Sequence, residues 1–216
     1  KVLLENDTYG RCNIGKSQNI IIEFVSANPT GPLHIGHCRG AVYGDVLSNL
    51  FKKVGYKVFK EYYINDTGSQ IDQLTKSVIF RYKQLYKKAK DEDSVNTYPG
   101  EYLIDLANDL KKDYGKKFLN DEEKSFNFIK NYSLSWILQL IKKDLISLGV
   151  NFDNFYSEKK LINTKVKSSI DLLKKKNLIY EGLPEKPKGG DLNEWEPRKQ
   201  SLFKSKKFDD DIDRPL

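Results

Sequence analysis

A strand pattern that runs straight into a proline- and glycine-rich turn, and then into a helical pattern, limits what this chain can fold into. Residues 19–25, NIIIEFV, are apolar and largely β-branched, which predicts a strand buried on both faces, as in a parallel sheet. Residues 26–32, SANPTGP, are typical of a turn. A helix is predicted from about residue 35 to 54, ending before Gly55. Its apolar positions are Val42, Val46, Leu47, Leu50, Phe51 and Val54.

The same order of elements follows a second time. Residues 56–64, YKVFKEYYI, predict a second strand, and in the next turn Asp66 or Thr67 is expected to cap a helix over 69–88. The apolar stripe of that helix is Ile71, Leu74, Val78, Tyr82 and Leu85. We therefore predict an α/β fold with a Rossmann-like doubly wound parallel sheet.

The rest of the chain suggests a three-part organisation. We assign residues 1–88 to the first half of the Rossmann-like domain, 89–149 to a helical insertion, and 150–216 to the return of the chain to a domain that is truncated. The smaller predicted elements are helices at about 100–114, 121–148 and 160–177, a return to the sheet within 150–158, and short strands at LIYEG and SLFKS. Residues 1–18 are interpreted as a loop.

Composition narrows the class of protein. The 37 Lys and Arg against 30 Asp and Glu give a net charge of +7, which suits a polyanion such as RNA, although a lysine-rich solvated surface explains the same count. Two cysteines, Cys12 and Cys38, are too few for a disulfide framework or a four-ligand zinc site, so we expect no protein-bound metal. No apolar run approaches the roughly 18 residues of a membrane span. No signal peptide is visible, and we expect a cytoplasmic location without membrane association.

Both histidines of the chain, His34 and His37, lie where the first turn meets the first helix. Side chains three residues apart share a helix face. A loop after a parallel strand lies at the carboxyl edge of the sheet, where such folds bind ligands, and the start of a helix attracts phosphate. Two imidazole N–H groups there can stabilise charge during a displacement at phosphorus. The alternative is that His34 caps the turn and His37 is a partly buried helix residue.

The residues around the histidines also suit a nucleotide. Gly31 and Gly36 remove side chains where a nucleotide must approach the backbone, and Pro32 stiffens the approach. We expect Gly31, Pro32, Leu33 and Gly36 to form the nucleotide-binding surface.

A family resemblance sharpens these predictions. The segment PLHIGH matches the HIGH motif of class I aminoacyl-tRNA synthetases. The run EFVSANPTGPLHIGHCRGAVYGD, followed by GYKV and EYYINDTGSQI, resembles arginyl-tRNA synthetases of the bacterial type, and the resemblance continues through SEKKL, LIYEG and DDDIDRPL. It implies a class I synthetase catalytic core and the arginine–tRNA ligase reaction. In that reaction L-arginine is activated with ATP to arginyl-adenylate and transferred to tRNA(Arg).

The resemblance also implies roles for individual residues. His34 and His37 are the catalytic residues that stabilise the phosphates of ATP, and Mg²⁺ arrives with ATP rather than in a protein site. Gly36 leaves room for the adenosine.

The arginine pocket is assigned partly from chemistry and partly from the resemblance. The small polar groups of Ser26 and Asn28 suit the α-ammonium and carboxylate, and the resemblance places Asn28 there. The guanidinium requires a carboxylate in bidentate geometry, and the resemblance makes Glu158 the best candidate. Glu23 is expected either to orient the loop or to meet the ammonium. Two alternatives stay open: Glu158 as an ordinary acid at a helix start, and Glu23 as a buried acid satisfied by backbone donors.

Two further side chains follow the second strand at the same edge of the sheet. Asp66 and Gln70 are expected to contact the substrate or the end of the tRNA, although turn and cap chemistry explains them as well. The segment WEPRKQSLFKS resembles a family segment, but the roles of Trp195 and Arg198 do not follow from the sequence.

Rival functions predict different behaviour. A small-substrate nucleotidylyltransferase with the HIGH motif would use the same loop, and a non-enzymatic RNA-binding module would need only the positive charge.

The chain begins at Lys1 and contains no methionine, so we expect a piece of a longer protein. The family's second ATP-handling motif, Lys-Met-Ser-Lys or a variant, is not found here. We therefore expect this piece alone to be inactive, and the parent protein to be monomeric.

Overall fold

The structure, a computed structural model, describes residues 1–89, 97–119, 122–185 and 198–216. The helices are α1 (Val2–Glu5), α2 (Ile35–Lys53), α3 (Ser69–Gln84), α4 (Tyr102–Tyr114), α5 (Glu122–Ser147), α6 (Glu158–Leu161) and α7 (Lys167–Lys175). The strands are β1 (Asn19–Glu23), β2 (Lys57–Ile64), β3 (Asn154–Ser157), β4 (Ile179–Gly182), β5 (Gln200–Phe203) and β6 (Arg214–Pro215). Two compact units result, Lys1–Lys159 and Lys160–Leu216.

The first unit contains a parallel sheet in the order β1-β2-β3. The α/β prediction with a parallel sheet is confirmed, and β3 returns the chain to this sheet as expected. In the central strand, the side chains of Lys60, Tyr62 and Ile64 are buried on one face. The three strands run in the same direction, so their carboxyl ends meet at one edge, and the loops after them lie together.

The prediction that β1 is buried on both faces is wrong. Its side chains alternate between partly buried and exposed, and Ile21 is 67% exposed. Its register partner on β2, Phe59, lies on the same face and is also exposed. The reason is that successive strand side chains point to opposite faces, and only the other face packs into the core of this unit.

Helix α2 lies where it was predicted, but its apolar stripe is not its buried face. Val42, Val46 and Leu50 are exposed, whereas the buried positions are the small residues Ala41, Gly44 and Ser48. The small residues let the helix approach the end of β1, because a Cβ at Gly44 would lie only 2.2 Å from the Cγ atom of Phe24. Close packing of helix on strand therefore decides the orientation, rather than hydrophobicity.

An ion pair fixes the same helix to the central strand. The ammonium of Lys60 lies 2.6 Å from a carboxylate oxygen of Asp45, and both side chains are largely shielded from solvent. The backbone N–H of Lys60 donates to the carboxylate of Asp153 at 2.8 Å. The ion pair holds α2 on the sheet, and the second bond joins β2 to the residue before β3.

Two glycines of α2 provide a matched test of this packing. We expect Gly44→Ala to lower the free energy of unfolding by about 1–3 kcal/mol, because the new methyl group overlaps Phe24. Gly40 has nothing within 4 Å of its Cβ position, so Gly40→Ala should raise the free energy of unfolding by roughly 0.5–1 kcal/mol through helix propensity. Urea denaturation of both variants measures this difference, and equal effects would contradict the packing account.

Helices α3, α4 and α5 pack together and form most of the core. The predicted stripe of α3 is confirmed at Ile71, Leu74, Val78 and Tyr82. The buried partners on the other two helices are Leu103, Leu106, Ala107, Leu110, Ile129, Ile137, Ile141 and Leu145. Helices α4 and α5 fall inside the predicted insertion, and the domain boundaries themselves stay a prediction. Among the helices in the described ranges, none combines the length and apolarity that a membrane span requires.

The second unit consists of α7 and an antiparallel sheet in the order β4-β5-β6. The short strands predicted at LIYEG and SLFKS are confirmed. The hydroxyl of Tyr180 donates to the carboxylate of Asp213 at 2.8 Å, which fixes part of the DDDIDRPL segment. Trp195 lies outside the described residues, and Arg198 is exposed. The predicted N-terminal loop contains α1 and a 3₁₀ turn, Asn6–Thr8.

Candidate functional site

The chain leaves β1 through a strained turn. Val25 and Ser26 have φ angles of 65° and 38°, and the Ser26 N–H donates to the carbonyl of Phe24 at 2.9 Å. A positive φ is costly for a β-branched residue and is commonly retained at functional sites. The Ser26 hydroxyl donates to the Glu23 carboxylate at 2.5 Å and accepts the Tyr63 N–H at 3.0 Å. Glu23 orients the loop through this hydrogen bond. Its side chain is exposed, which excludes the alternative that Glu23 is a buried acid.

The next two residues are fixed by neighbouring elements. The hydroxyl of the buried Tyr62 donates to the Ala27 carbonyl at 3.0 Å. The side-chain amide of Asn28 donates to Gln70 at 2.9 Å and accepts from Asn65 at 3.2 Å. The structure therefore joins two predicted site residues, Asn28 and Gln70, across 42 positions of sequence. Asn65, which completes this amide cluster, is a residue that the sequence argument missed.

The far end of the turn contacts the helical part of the unit. The Tyr102 hydroxyl donates to the Thr30 carbonyl at 2.5 Å, and the ring lies against Gly31. Leu33 packs against the core, while Pro32 is exposed. The predicted nucleotide-binding run is thus held by Tyr102 at Thr30 and Gly31 and by the packing of Leu33.

The two histidines form the start of α2. The Nδ1 atom of His34 accepts the Gly36 N–H at 3.1 Å, and the Nδ1 atom of His37 accepts the His34 N–H at 3.3 Å. Their rings stack with centroids 3.7 Å apart, so the prediction of a shared face is confirmed. A nitrogen that accepts a hydrogen bond carries no proton, so the hydrogen-bond pattern assigns the proton of each neutral ring to Nε2.

This arrangement reconciles the two interpretations of the histidine pair. His34 is the cap and His37 is partly buried, as the alternative stated, but the Nδ1 atom of His37 takes part in the cap as well. Each ring still has Nε2 left for a ligand. Gly36 helps to hold this geometry, because a Cβ there would lie 3.0 Å from the Cε1 atom of His34. The pair therefore lies at a helix start, where negative charge is favoured.

The protonation state of His37 is open to a direct test. Burial, followed by the neighbouring His34, lowers the pKa of His37 from its ordinary value of 6.5. Because the folded pKa is the lower one, the stabilisation from this neutral ring is complete above pH 6.5 and is lost as the pH falls through the folded pKa. We expect long-range ¹H–¹⁵N spectra near neutral pH to show unprotonated Nδ1 in both rings. A His37 midpoint above 6.5 would contradict this assignment.

Asp66 is positioned differently from the prediction that it caps the next helix. The N-cap residue of α3 is Gly68, which has no side chain to offer. The Asp66 carboxylate instead accepts the Ser157 hydroxyl at 2.5 Å and the Lys159 N–H at 3.0 Å. The parallel register places Ser157 beside Ile64, so Asp66 ties the end of β2 to the junction of β3 and α6.

Glu158, between those two contacts, carries an acceptor without a partner. Its Oε2 atom is buried and has no hydrogen-bond partner within the described residues. A favourable position at the start of α6 does not explain a buried, unpaired oxygen, because such an atom is costly. The pKa of Tyr63 is raised by burial and then by Glu158, Asp66 and Glu23. The edge of the sheet therefore has a negative potential that suits a cation.

Tyr63, Asn65 and Tyr102 were not predicted from the sequence as functional residues. Asn65 belongs to the NDTGSQ turn and could have been found there, because an amide at a strand end is a usual ligand or loop contact. Tyr63 and Tyr102 act through contacts with residues far away in the sequence, for which a single sequence carries no local signal.

The chain is similar to proteins of known family. A family profile described as "tRNA synthetases class I (R), catalytic domain" matches residues 1–183. The arginine–tRNA ligase of Wolbachia pipientis (strain wPip) is 54% identical over 209 residues, which are 96% of this chain and 36% of the relative. That of Rickettsia bellii is 51% identical over 219 residues, 100% of this chain and 38% of the relative.

A solved structure described as an arginyl-tRNA synthetase, from Campylobacter jejuni, has a TM-score of 0.80 and 31% identity. It covers 100% of this chain, which covers 44% of that one. The chain thus spans little more than a third of the length of the curated relatives it matches. The resemblance inferred from the HIGH segment is confirmed. The chain belongs to the family of catalytic domains of the arginine-type class I tRNA synthetases.

Proposed function

We propose that this chain carries residues that activate L-arginine with ATP for the arginine–tRNA ligase reaction. The observation that carries the proposal is the pair of stacked imidazoles at the start of α2, whose Nδ1 atoms both accept backbone N–H groups, which leaves Nε2 of each ring for a ligand. Membership of the synthetase family, and relatives named arginine–tRNA ligase, support the same reaction.

In the first step the carboxylate of arginine attacks the α-phosphorus of ATP, and pyrophosphate leaves with the electrons of the broken P–O bond. Negative charge on the phosphate oxygens is stabilised by His34 and His37 through Nε2–H. Fixed donors of this kind typically contribute about 2.7–4 kcal/mol each to the transition state. Gly31, Pro32, Leu33 and Gly36 provide the backbone surface for ATP, with which Mg²⁺ arrives as part of the substrate.

Arginine is recognised at the carboxyl edge of the sheet. Glu158 accepts the guanidinium on its unpaired Oε2 atom, and the negative potential around Tyr63 favours this cation. Ser26, Asn28 and Glu23 provide polar groups for the α-ammonium and carboxylate, and Asn28 is oriented for this role by Gln70.

In the second step a ribose hydroxyl of the terminal adenosine of tRNA(Arg) attacks the activated carbonyl, and AMP leaves. The net charge of +7 suits a polyanionic partner. Asp66 and Gln70 lie at the edge of the sheet, where the substrate and the tRNA end would meet. A monomeric parent protein and a cytoplasmic location remain predictions.

The test is arginine-dependent exchange of pyrophosphate into ATP by the full-length gene product, with tRNA(Arg) present. We expect exchange with arginine and none with lysine or citrulline, together with charging of tRNA(Arg). The family resemblance implies that exchange requires the tRNA.

Each rival function predicts a different outcome of the same experiment. Nucleotidyl transfer to a small alcohol or phosphate, independent of arginine, would identify a nucleotidylyltransferase. An RNA-binding module would show no pyrophosphate exchange. It would bind RNA in a salt-sensitive way, and this binding would survive the loss of both histidines. Either outcome overturns the proposal.

A further inference from the structure

We propose that Tyr102, on the helical segment, is a positioning residue for the nucleotide loop and sets the affinity for ATP. This inference rests on the proposed function, because it assigns the Thr30–Gly31 turn to ATP. Helix α2, strand β2 and helix α3 lie between the turn and Tyr102 in the sequence, so the contact joins distant parts of the chain. Tyr102 itself touches neither histidine in the contacts described and acts through the backbone of the turn.

The contact has two parts. The Tyr102 hydroxyl donates to the Thr30 carbonyl at 2.5 Å. The ring lies so close to Gly31 that a Cβ there would be 3.3 Å from the Cζ and hydroxyl oxygen of Tyr102. The backbone N–H of Thr30 donates a hydrogen bond to the carbonyl of Asn28 at 2.7 Å. One side chain thus fixes both the direction of a carbonyl and the path of the chain towards the first histidine.

The hydroxyl is a dependable donor on a rigid support. Burial, followed by the neighbouring Tyr98, raises the pKa of Tyr102 to about 12, so the proton is retained at neutral pH. Tyr102 is the first residue of α4, whose next buried residue, Leu103, anchors that helix in the core. Gly100 leaves room for the ring, since a Cβ there would lie 2.1 Å from the Cε1 atom of Tyr102.

Removing the hydroxyl frees the Thr30 carbonyl and lets the turn rotate, while the ring still packs on Gly31. The Asn28 side chain keeps its own bonds to Gln70 and Asn65, so the arginine side of the loop should be affected less. We expect Tyr102→Phe to raise the dissociation constant for Mg–ATP about 2- to 12-fold, the range that loss of one hydrogen bond gives, and to leave that for arginine nearly unchanged.

The experiment is calorimetry of Mg–ATP and arginine binding to the full-length gene product, with pyrophosphate exchange as a second readout. Tyr86→Phe is the matched control, since the Tyr86 hydroxyl also donates to a backbone carbonyl next to α4, that of Gly115 at 2.6 Å, but at the opposite end of that helix. We expect Tyr86→Phe to leave both affinities unchanged. Gly100→Ala, which displaces the ring without removing the hydroxyl, should weaken Mg–ATP binding as Tyr102→Phe does.

The outcomes separate a positioning role from a structural one. Unchanged Mg–ATP affinity in Tyr102→Phe, equal losses for ATP and arginine, or the same ATP loss in Tyr86→Phe overturns the inference. If the unmodified protein binds Mg–ATP but shows no arginine-dependent exchange, only the proposed function fails, and the ATP affinities still decide the role of Tyr102. If it binds no Mg–ATP, both proposals fail.

Discussion

Replacing His34 with asparagine is expected to lower the turnover number for arginine-dependent pyrophosphate exchange by about 100- to 1,000-fold, with little change in stability. The asparagine Oδ1 atom can replace Nδ1 as the acceptor of the Gly36 N–H, and asparagine is among the best N-cap residues. The variant therefore keeps the cap and loses the Nε2–H donor. Exchange kinetics and a thermal unfolding curve of the same preparation measure the two effects separately.

A second pair of substitutions controls for the general loss of an imidazole. In His37→Gln the amide nitrogen can reach the place of Nε2, whereas in His37→Asn the shorter side chain reaches only the place of Nδ1. The account predicts more residual activity for His37→Gln. Near-normal turnover in His34→Asn, or equal activities of the two His37 variants, would show that the Nε2–H groups do not stabilise the reaction.

The other large effect is expected from changing Glu158, the proposed partner of the arginine guanidinium. Glu158→Gln should raise the KM for arginine about 10- to 100-fold, because a hydrogen bond to a charged group contributes about 1.5–3 kcal/mol. The KM for ATP should stay the same. The preference for arginine over citrulline, its neutral analogue, should also fall in Glu158→Gln. Competition assays with the two amino acids measure that ratio directly.

The melting temperature of Glu158→Gln distinguishes a binding role of Glu158 from a structural one. Glu158 has a buried oxygen without a partner, so removing its charge should leave the melting temperature unchanged or raise it. Asp109→Ala is the control, because it removes the carboxylate that accepts the Trp136 indole N–H at 2.8 Å, between α4 and α5. That variant should lose stability but keep its KM for arginine. A destabilised Glu158→Gln with a normal arginine KM would remove Glu158 from the pocket.

The fold was largely predictable because its elements have strong local patterns. The stripe of α3 at Ile71 and Leu74 is both periodic and buried, so pattern and packing agree. Helix α2 shows the limit of this reasoning, since its exposed Val42 carries the same signal as a core residue. Its buried face is set by the approach of Gly44 to Phe24, and that distance depends on the tertiary structure.

The candidate site also has features that the sequence predicts and features that depend on tertiary contacts. The histidine spacing alone predicts that the two rings share a face, but which nitrogen is free depends on the backbone donors of His34 and Gly36. Asp66 or Thr67 was expected to cap α3, but the Asp66 carboxylate instead accepts a hydrogen bond from Ser157 on β3. Such contacts join residues many positions apart in sequence, and a single sequence gives no local signal for them.

The most direct test of the central claim is a structure of the full-length gene product with Mg–ATP and arginine bound. The account predicts phosphate oxygens within hydrogen-bonding distance of the Nε2 atoms of His34 and His37, and the guanidinium against Glu158. A nucleotide seated elsewhere, with both imidazole Nε2–H groups pointing away from every phosphate, would contradict it.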